Sequence, residues 1–216
     1  MKNLLFIPIF LLATLNTSAC SDTNKNKEVE PVIPVTGSIL ITYFSYPEPD
    51  GVDVSTGASR LVNDGKVTGH VDFLANVIRE ATDGELFEIK TVQQYPASHE
   101  PLVSQASEEK EAKARPVLTT HIENIDQYDI IFIGYPNWWG DFPMPLYTFL
   151  EKYDLKGKTI IPFNSHGGSG LSGTVNTIKE LQPESTIVKA FSVSRNNVSN
   201  AKEDVLKWLK EIGMME

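Results

Sequence analysis

The sequence holds a single cysteine, Cys20, among its 216 residues. A disulfide framework, a CxxC redox pair and a cysteine nucleophile in the body of the chain are thereby excluded, so any redox chemistry must come from a bound group. Positive charge is also scarce. Lys and Arg number 19 against 28 Asp and Glu, and the net charge of -9 repels a phosphate backbone, which excludes nucleic acid as a partner. The four histidines, His70, His99, His121 and His166, show no metal-ligand spacing, and no metal site is expected. No apolar run reaches the roughly 20 residues that a membrane-spanning helix needs. No G-x-S-x-G nucleophile elbow occurs.

What is present begins with Lys2, the apolar run Leu4 to Leu12, and small and polar residues ending at Ala19 and Cys20. This is the pattern of an export signal over residues 1–19. Thr17-Ser18-Ala19-Cys20 resembles the lipobox of bacterial lipoproteins, which implies cleavage before Cys20 and lipid on that residue. The expected location is then extracytoplasmic, with the membrane as a partner through the lipid. Residues 20–37 are polar and acidic, with Pro31 and Pro34 and no apolar period, and read as a tether.

From residue 38 to 216 the chain alternates β-branched runs with amphipathic helical patterns, which predicts one α/β domain built on a parallel sheet. Strands are expected over Ser38 to Phe44, Glu85 to Lys90, Tyr128 to Tyr135, Lys158 to Asn164 and Thr186 to Val193. Consecutive apolar pairs such as Ile130-Ile131 and Ile160-Ile161 suit strands covered on both faces. Val71, Leu74, Ala75 and Ile78 form one helical face, and Ala201, Val205, Trp208, Leu209 and Ile212 another. Three more helices are expected over Pro101 to Ala114, Pro145 to Tyr153 and Val175 to Leu181. Five strands and five helices in alternation predict a doubly wound five-stranded sheet with helices on both faces. Residues 46–67 are too long for an ordinary βα connection and read as an insertion.

In such a sheet the ligand lies beyond the carboxyl ends of the strands. The loop after the third strand, Pro136-Asn137-Trp138-Trp139-Gly140, offers paired indoles that suit stacking on a planar conjugated ring. The loop after the fourth, Ser165-His166-Gly167-Gly168-Ser169-Gly170, lets backbone amides approach a ligand closely. After the first strand come Ser45 and, beyond the insertion, Thr68-Gly69-His70-Val71 at a helix start, where unpaired amides suit a phosphate.

Together with Tyr43-Phe44-Ser45, these three loops resemble the flavodoxin family over most of residues 38–213. The resemblance implies strand order 2-1-3-4-5 and FMN, with the phosphate near Ser45, Thr68, Gly69 and His70 and the ring between the tryptophan and glycine loops. It also implies electron exchange with a redox partner protein or a small-molecule acceptor. Family members usually carry an unbroken serine- and threonine-rich phosphate loop; here the insertion splits it, and His70 and Val71 stand where asparagine and threonine are usual. Within the insertion, Asp53-Val54-Ser55-Thr56-Gly57-Ala58-Ser59 resembles the acceptor motif of extracytoplasmic flavin transferase substrates, which implies FMN bonded covalently through its phosphate to Ser59. Two other readings remain: a surface-anchored binding module without flavin, and an esterase using the His166 to Gly170 loop.

Overall fold

The computed structural model describes residues 37–47, 60–63 and 65–216. The chain opens with β1 (Ile39–Tyr43), and α1 (His70–Thr82) follows an antiparallel ribbon of β2 (Arg60–Asn63) and β3 (Lys66–Gly69). Then come β4 (Glu85–Glu88), α2 (His99–Glu111), β5 (Ile130–Pro136), α3 (Met144–Lys152), β6 (Thr159–His166) and α4 (Thr174–Leu181). The chain closes with β7 (Thr186–Ile187), β8 (Phe191–Ser194) and α5 (Lys202–Glu211).

The main sheet is parallel and runs β4-β1-β5-β6, with β7 and β8 both pairing with β6. Counting β7 and β8 as one interrupted strand, this is the order 2-1-3-4-5. One face buries Ile41, Phe132, Ile161 and Phe163 against Val71, Leu74 and Ile78 of α1 and Val205, Trp208 and Leu209 of α5. The other buries Leu40, Ile131, Ile133 and Ile160 against Leu102 of α2, Leu146, Phe149 and Leu150 of α3, and Ile178 of α4. The apolar runs of β1 and β5 follow from this, because alternate residues feed different cores and none can be polar without a partner.

Two expectations are corrected. The fifth strand is not continuous over Thr186 to Val193, and Pro162 explains the break. Val188 N–H donates to Ile160 O at 3.0 Å, so Ile160 turns its polar groups to the fifth strand, and two residues on Pro162 turns the same way. Proline has no N–H to give there. Pairing accordingly covers Thr159 and Ile160 through β7, lapses, and resumes at Phe163 through β8. The second correction concerns the insertion, whose C-terminal part is the β2–β3 ribbon and not loop throughout. Asp64-Gly65 between the two runs is a two-residue hairpin signal in the sequence. Among the described residues no helix is long and apolar enough to cross a membrane.

Candidate functional site

Strand β3 returns the chain to the carboxyl end of β1 and sets Gly69 directly on Ser45. A Cβ on Gly69 would fall inside the van der Waals contact of Ser45 Oγ, so a larger residue would turn the Ser45 hydroxyl out of this position. The two halves of the split loop thus meet again at the start of α1, whose N-cap is Gly69 and whose first residues are His70 and Val71, both buried. Thr68 Oγ1 donates to Asp72 Oδ2, and Tyr43 OH donates to Asp72 Oδ1 at 2.9 Å. Burial first, then the Asp72 charge and hydrogen bond, push the Tyr43 phenol far above its ordinary range, with Glu88 adding to the effect. Tyr43 is a proton donor here and stays one.

The two tryptophans divide. Trp138 and Asp141 exchange backbone hydrogen bonds of 2.8 and 3.0 Å, and the residues between them, Trp139 and Gly140, have φ of 55° and 76°. Positive φ at both central positions is what a type I′ turn requires. Trp138 is 3% exposed, edge-on to Phe44 and Tyr95 at centroid distances of 5.6 and 5.4 Å. Its Nε1 is buried and has no hydrogen-bond partner. Trp139 is 53% exposed, with Nε1 donating to Val103 O at 3.1 Å on α2. Only Trp139 offers a face to a ligand; Trp138 is part of the core.

The glycine loop is braced. Gly170 O accepts from Asn137 Nδ2 at 2.9 Å and from Asn164 Nδ2 at 3.0 Å, and Asn164 Oδ1 accepts from Ser192 Oγ at 2.6 Å. Asn137 Nδ2 also donates to Ser172 Oγ at 3.0 Å, and Asn137 Oδ1 accepts from Gly140 N at 3.1 Å, so one buried amide ties the tryptophan turn to the glycine loop. Gly168 and Gly170 have φ of 143° and 61°, and a Cβ at either would meet nothing within 4 Å. Open space therefore lies over the loop. Ser165 and His166 belong to the end of β6, beyond the expected limit at Asn164. His166 Nδ1 accepts from Gly168 N at 3.0 Å, and burial lowers the pKa of the ring, so the imidazole is neutral and shapes the turn.

Two residues outside the expected set, Asn164 and Arg195, also belong to this edge. Asn164 carried a signal, a lone amide ending the run Ile160-Ile161-Pro162-Phe163. Arg195 follows β8, where its N–H donates to His166 O at 2.8 Å. Its Nη1 is buried without a hydrogen-bond partner among the described residues, an expensive state for a guanidinium unless an anion completes it. By alternation from Phe191 and Val193, Arg195 lies on the α1 side of the sheet, as Ser45 does. Ser59 and Cys20 lie outside the described residues. Among the described residues no group of three or more His, Cys, Asp or Glu side chains is placed to hold a metal.

A rejoined hydroxyl and amide cradle, an open glycine floor, an exposed indole and an unsatisfied guanidinium all lie at the carboxyl edge of one parallel sheet. The comparisons agree with that plan. A structure described as a flavoprotein from Bacteroides eggerthii is 29% identical, covering 82% of this chain and 98% of its own, with a TM-score of 0.61. One from Bacteroides uniformis is also 29% identical, covering 81% and 98%, with a TM-score of 0.63. A flavoprotein from Lactobacillus acidophilus, solved in complex with FMN, is 20% identical, covering 76% and 98%, with a TM-score of 0.53. No curated protein matches the sequence. The flavodoxin family model matches residues 60–212, and the chain belongs to the flavodoxin family.

Proposed function

We propose that this chain is an FMN-dependent redox protein that works outside the cytoplasm, held at a bacterial membrane by lipid on Cys20. The observation that carries the FMN reading is the meeting of Ser45 and Gly69 at the start of α1, beside a glycine loop fixed by Asn137 and Asn164. The FMN complex of the Lactobacillus acidophilus relative supports it. Ser45 and the amides of residues 69–71 would hold the phosphate; the amides around Gly168 would approach the ring edge, and Trp139 would cover a ring face. Arg195, whose buried Nη1 has no partner among the described residues, stands beside the glycine loop, at the ring end of the site and away from the phosphate.

When bound, FMN would supply one- or two-electron exchange, with a partner protein or a small acceptor at the other end. The chain's own task is to orient the ring and keep its edge accessible beside Trp139. No side chain at this edge is assigned as a general acid or base. The purified protein should be yellow, with flavin absorption in the visible and about one FMN per chain on extraction. A colourless protein that binds no added FMN refutes the reading and favours a flavin-free binding module.

Two finer parts of the proposal rest on sequence. FMN is esterified through its phosphate to Ser59 in the motif Asp53 to Ser59. The Ser59 hydroxyl would attack the flavin-side phosphorus of a flavin dinucleotide and lose its proton; the pyrophosphate bond breaks, the nucleoside monophosphate leaves, and a phosphodiester remains. An exported protein has no ready source of replacement FMN, and a covalent bond prevents loss. After co-expression with an exported flavin transferase, a denaturing gel should show flavin fluorescence in the protein band, and Ser59→Ala should abolish it. A dark wild-type band, or an equally bright variant, removes the bond. For the anchor, Cys20→Ser should release the protein from membranes into the soluble exported fraction. Wild-type protein recovered wholly in that fraction without lipid removes the anchor.

A further inference from the structure

Asp72 occupies the first turn of α1, at the helix end where the FMN phosphate would bind on the reading above. Three side chains from three elements hold its carboxylate: Thr68 Oγ1 of β3, Tyr43 OH of β1 at 2.9 Å, and Asn76 Nδ2 of α1 at 3.2 Å. Asn76 Nδ2 also donates to Asp72 O at 2.9 Å. This acid is therefore fixed in place.

Two consequences follow for a phosphate. A hydroxyl has one proton to donate, and that of Thr68 is committed to Asp72, which leaves Ser45 and the amides of residues 69–71 as the nearby donors. The carboxylate also sets a full negative charge against a helix end worth only about half a positive one. Among the described side chains little else nearby restores the balance. His70 is the first helical residue and is buried, Glu88 on β4 adds negative charge, and Lys90 is paired with Glu88 at 2.8 Å. Arg195 stands at the end of β8, three strands from β1.

We infer that the cradle selects by phosphate charge, taking a singly charged phosphodiester of flavin over the doubly charged phosphate of FMN itself, and that Asp72 sets this preference. The inference rests on the FMN reading but does not depend on Ser59 being the attached residue. A second ligand charge about one helical turn from a carboxylate, at an effective dielectric of roughly 40, corresponds to about a tenfold change in affinity.

The test uses the full chain made without an exported flavin transferase, titrated at neutral pH by quenching of tryptophan fluorescence. Three probes differ only at the phosphate position: riboflavin has no phosphate, the methyl phosphodiester of FMN carries one negative charge, and FMN carries about two. Wild type should bind the diester about tenfold more tightly than FMN. In Asp72→Asn, which keeps shape and removes charge, the two should agree within about twofold, with riboflavin unchanged between the proteins. The inference is overturned if wild type binds FMN as tightly as the diester, or if Asp72→Asn preserves the ratio. Should the variant not fold, the order of the three probes on wild type decides alone. Riboflavin binding without discrimination between phosphates overturns this inference and spares the flavin site, whereas no binding of any flavin overturns both.

Discussion

Gly134→Ala should destabilise the domain by about 3 kcal/mol, one of the largest effects expected from adding a single methyl group here. Gly134 lies in β5, the central strand, paired with Tyr43 on one side and Phe163 on the other. A Cβ there would collide with the Phe163 ring, at 2.6 and 2.8 Å from two of its edge carbons. The ring cannot swing aside. Phe163 is fully buried and stands edge-on to Phe132 at a centroid distance of 6.5 Å, and Phe132 in turn packs against Trp208 at 6.0 Å. Trp208 is pinned by its Nε1, which donates to Lys189 O at 2.9 Å. A displacement at Phe163 therefore travels through two further aromatic rings to α5. Close-packed cores meet such demands with off-rotamer side chains and backbone shifts. The urea midpoint should fall, and a second substitution, Phe163→Leu, should recover part of the loss in the double variant. An unshifted midpoint would show that the strand can move to admit the methyl group.

Phe163 and Gly134 also show what could be read in advance. Strand β5 declares itself by Ile130-Ile131-Phe132-Ile133, since only a strand buried on both faces tolerates such a run, and α1 by the spacing of Val71, Leu74, Ala75 and Ile78. Those elements, in alternation, carry the sheet and its layers. The break in the fifth strand was also written in the sequence, at Pro162, but reading it requires knowing which way the neighbouring peptide groups turn. The amide bridge from Asn137 to Gly170 spans 33 positions, and nothing local to either residue announces the other. Asp72 looks like an ordinary first-turn acid until Tyr43 and Thr68 are brought to it by β1 and β3. Periodicity records which face a residue turns to the core; it does not record which distant polar group waits there.

The two tryptophans should separate stability from binding when each is replaced by alanine. Trp138→Ala should cost about 3 to 5 kcal/mol of folding stability, as truncation of a buried tryptophan generally does. Trp138 packs between Phe44, at the end of β1, and Tyr95, so its loss opens a cavity where the tryptophan turn meets the sheet edge. Trp138→Phe should be far milder, because it fills most of the space and removes an indole N–H that is buried without a partner. Trp139→Ala behaves differently. The side chain is more than half exposed, and its one polar contact within the protein is the hydrogen bond to Val103 O, so folding stability should change by about 0.5 kcal/mol or less. Its exposed face is the surface available for flavin stacking, and removing it should weaken FMN binding by roughly tenfold or more, since aromatic stacking contributes about 1 to 3 kcal/mol. Urea unfolding and FMN titration on the same four proteins, wild type included, check the division. The turn leaves Trp138 buried and Trp139 exposed, so one indole anchors the loop while the other is open to a ligand. If Trp139→Ala binds FMN as wild type does while Trp138→Phe, folded and stable, does not, the ring lies against the buried indole and the turn must open to admit it.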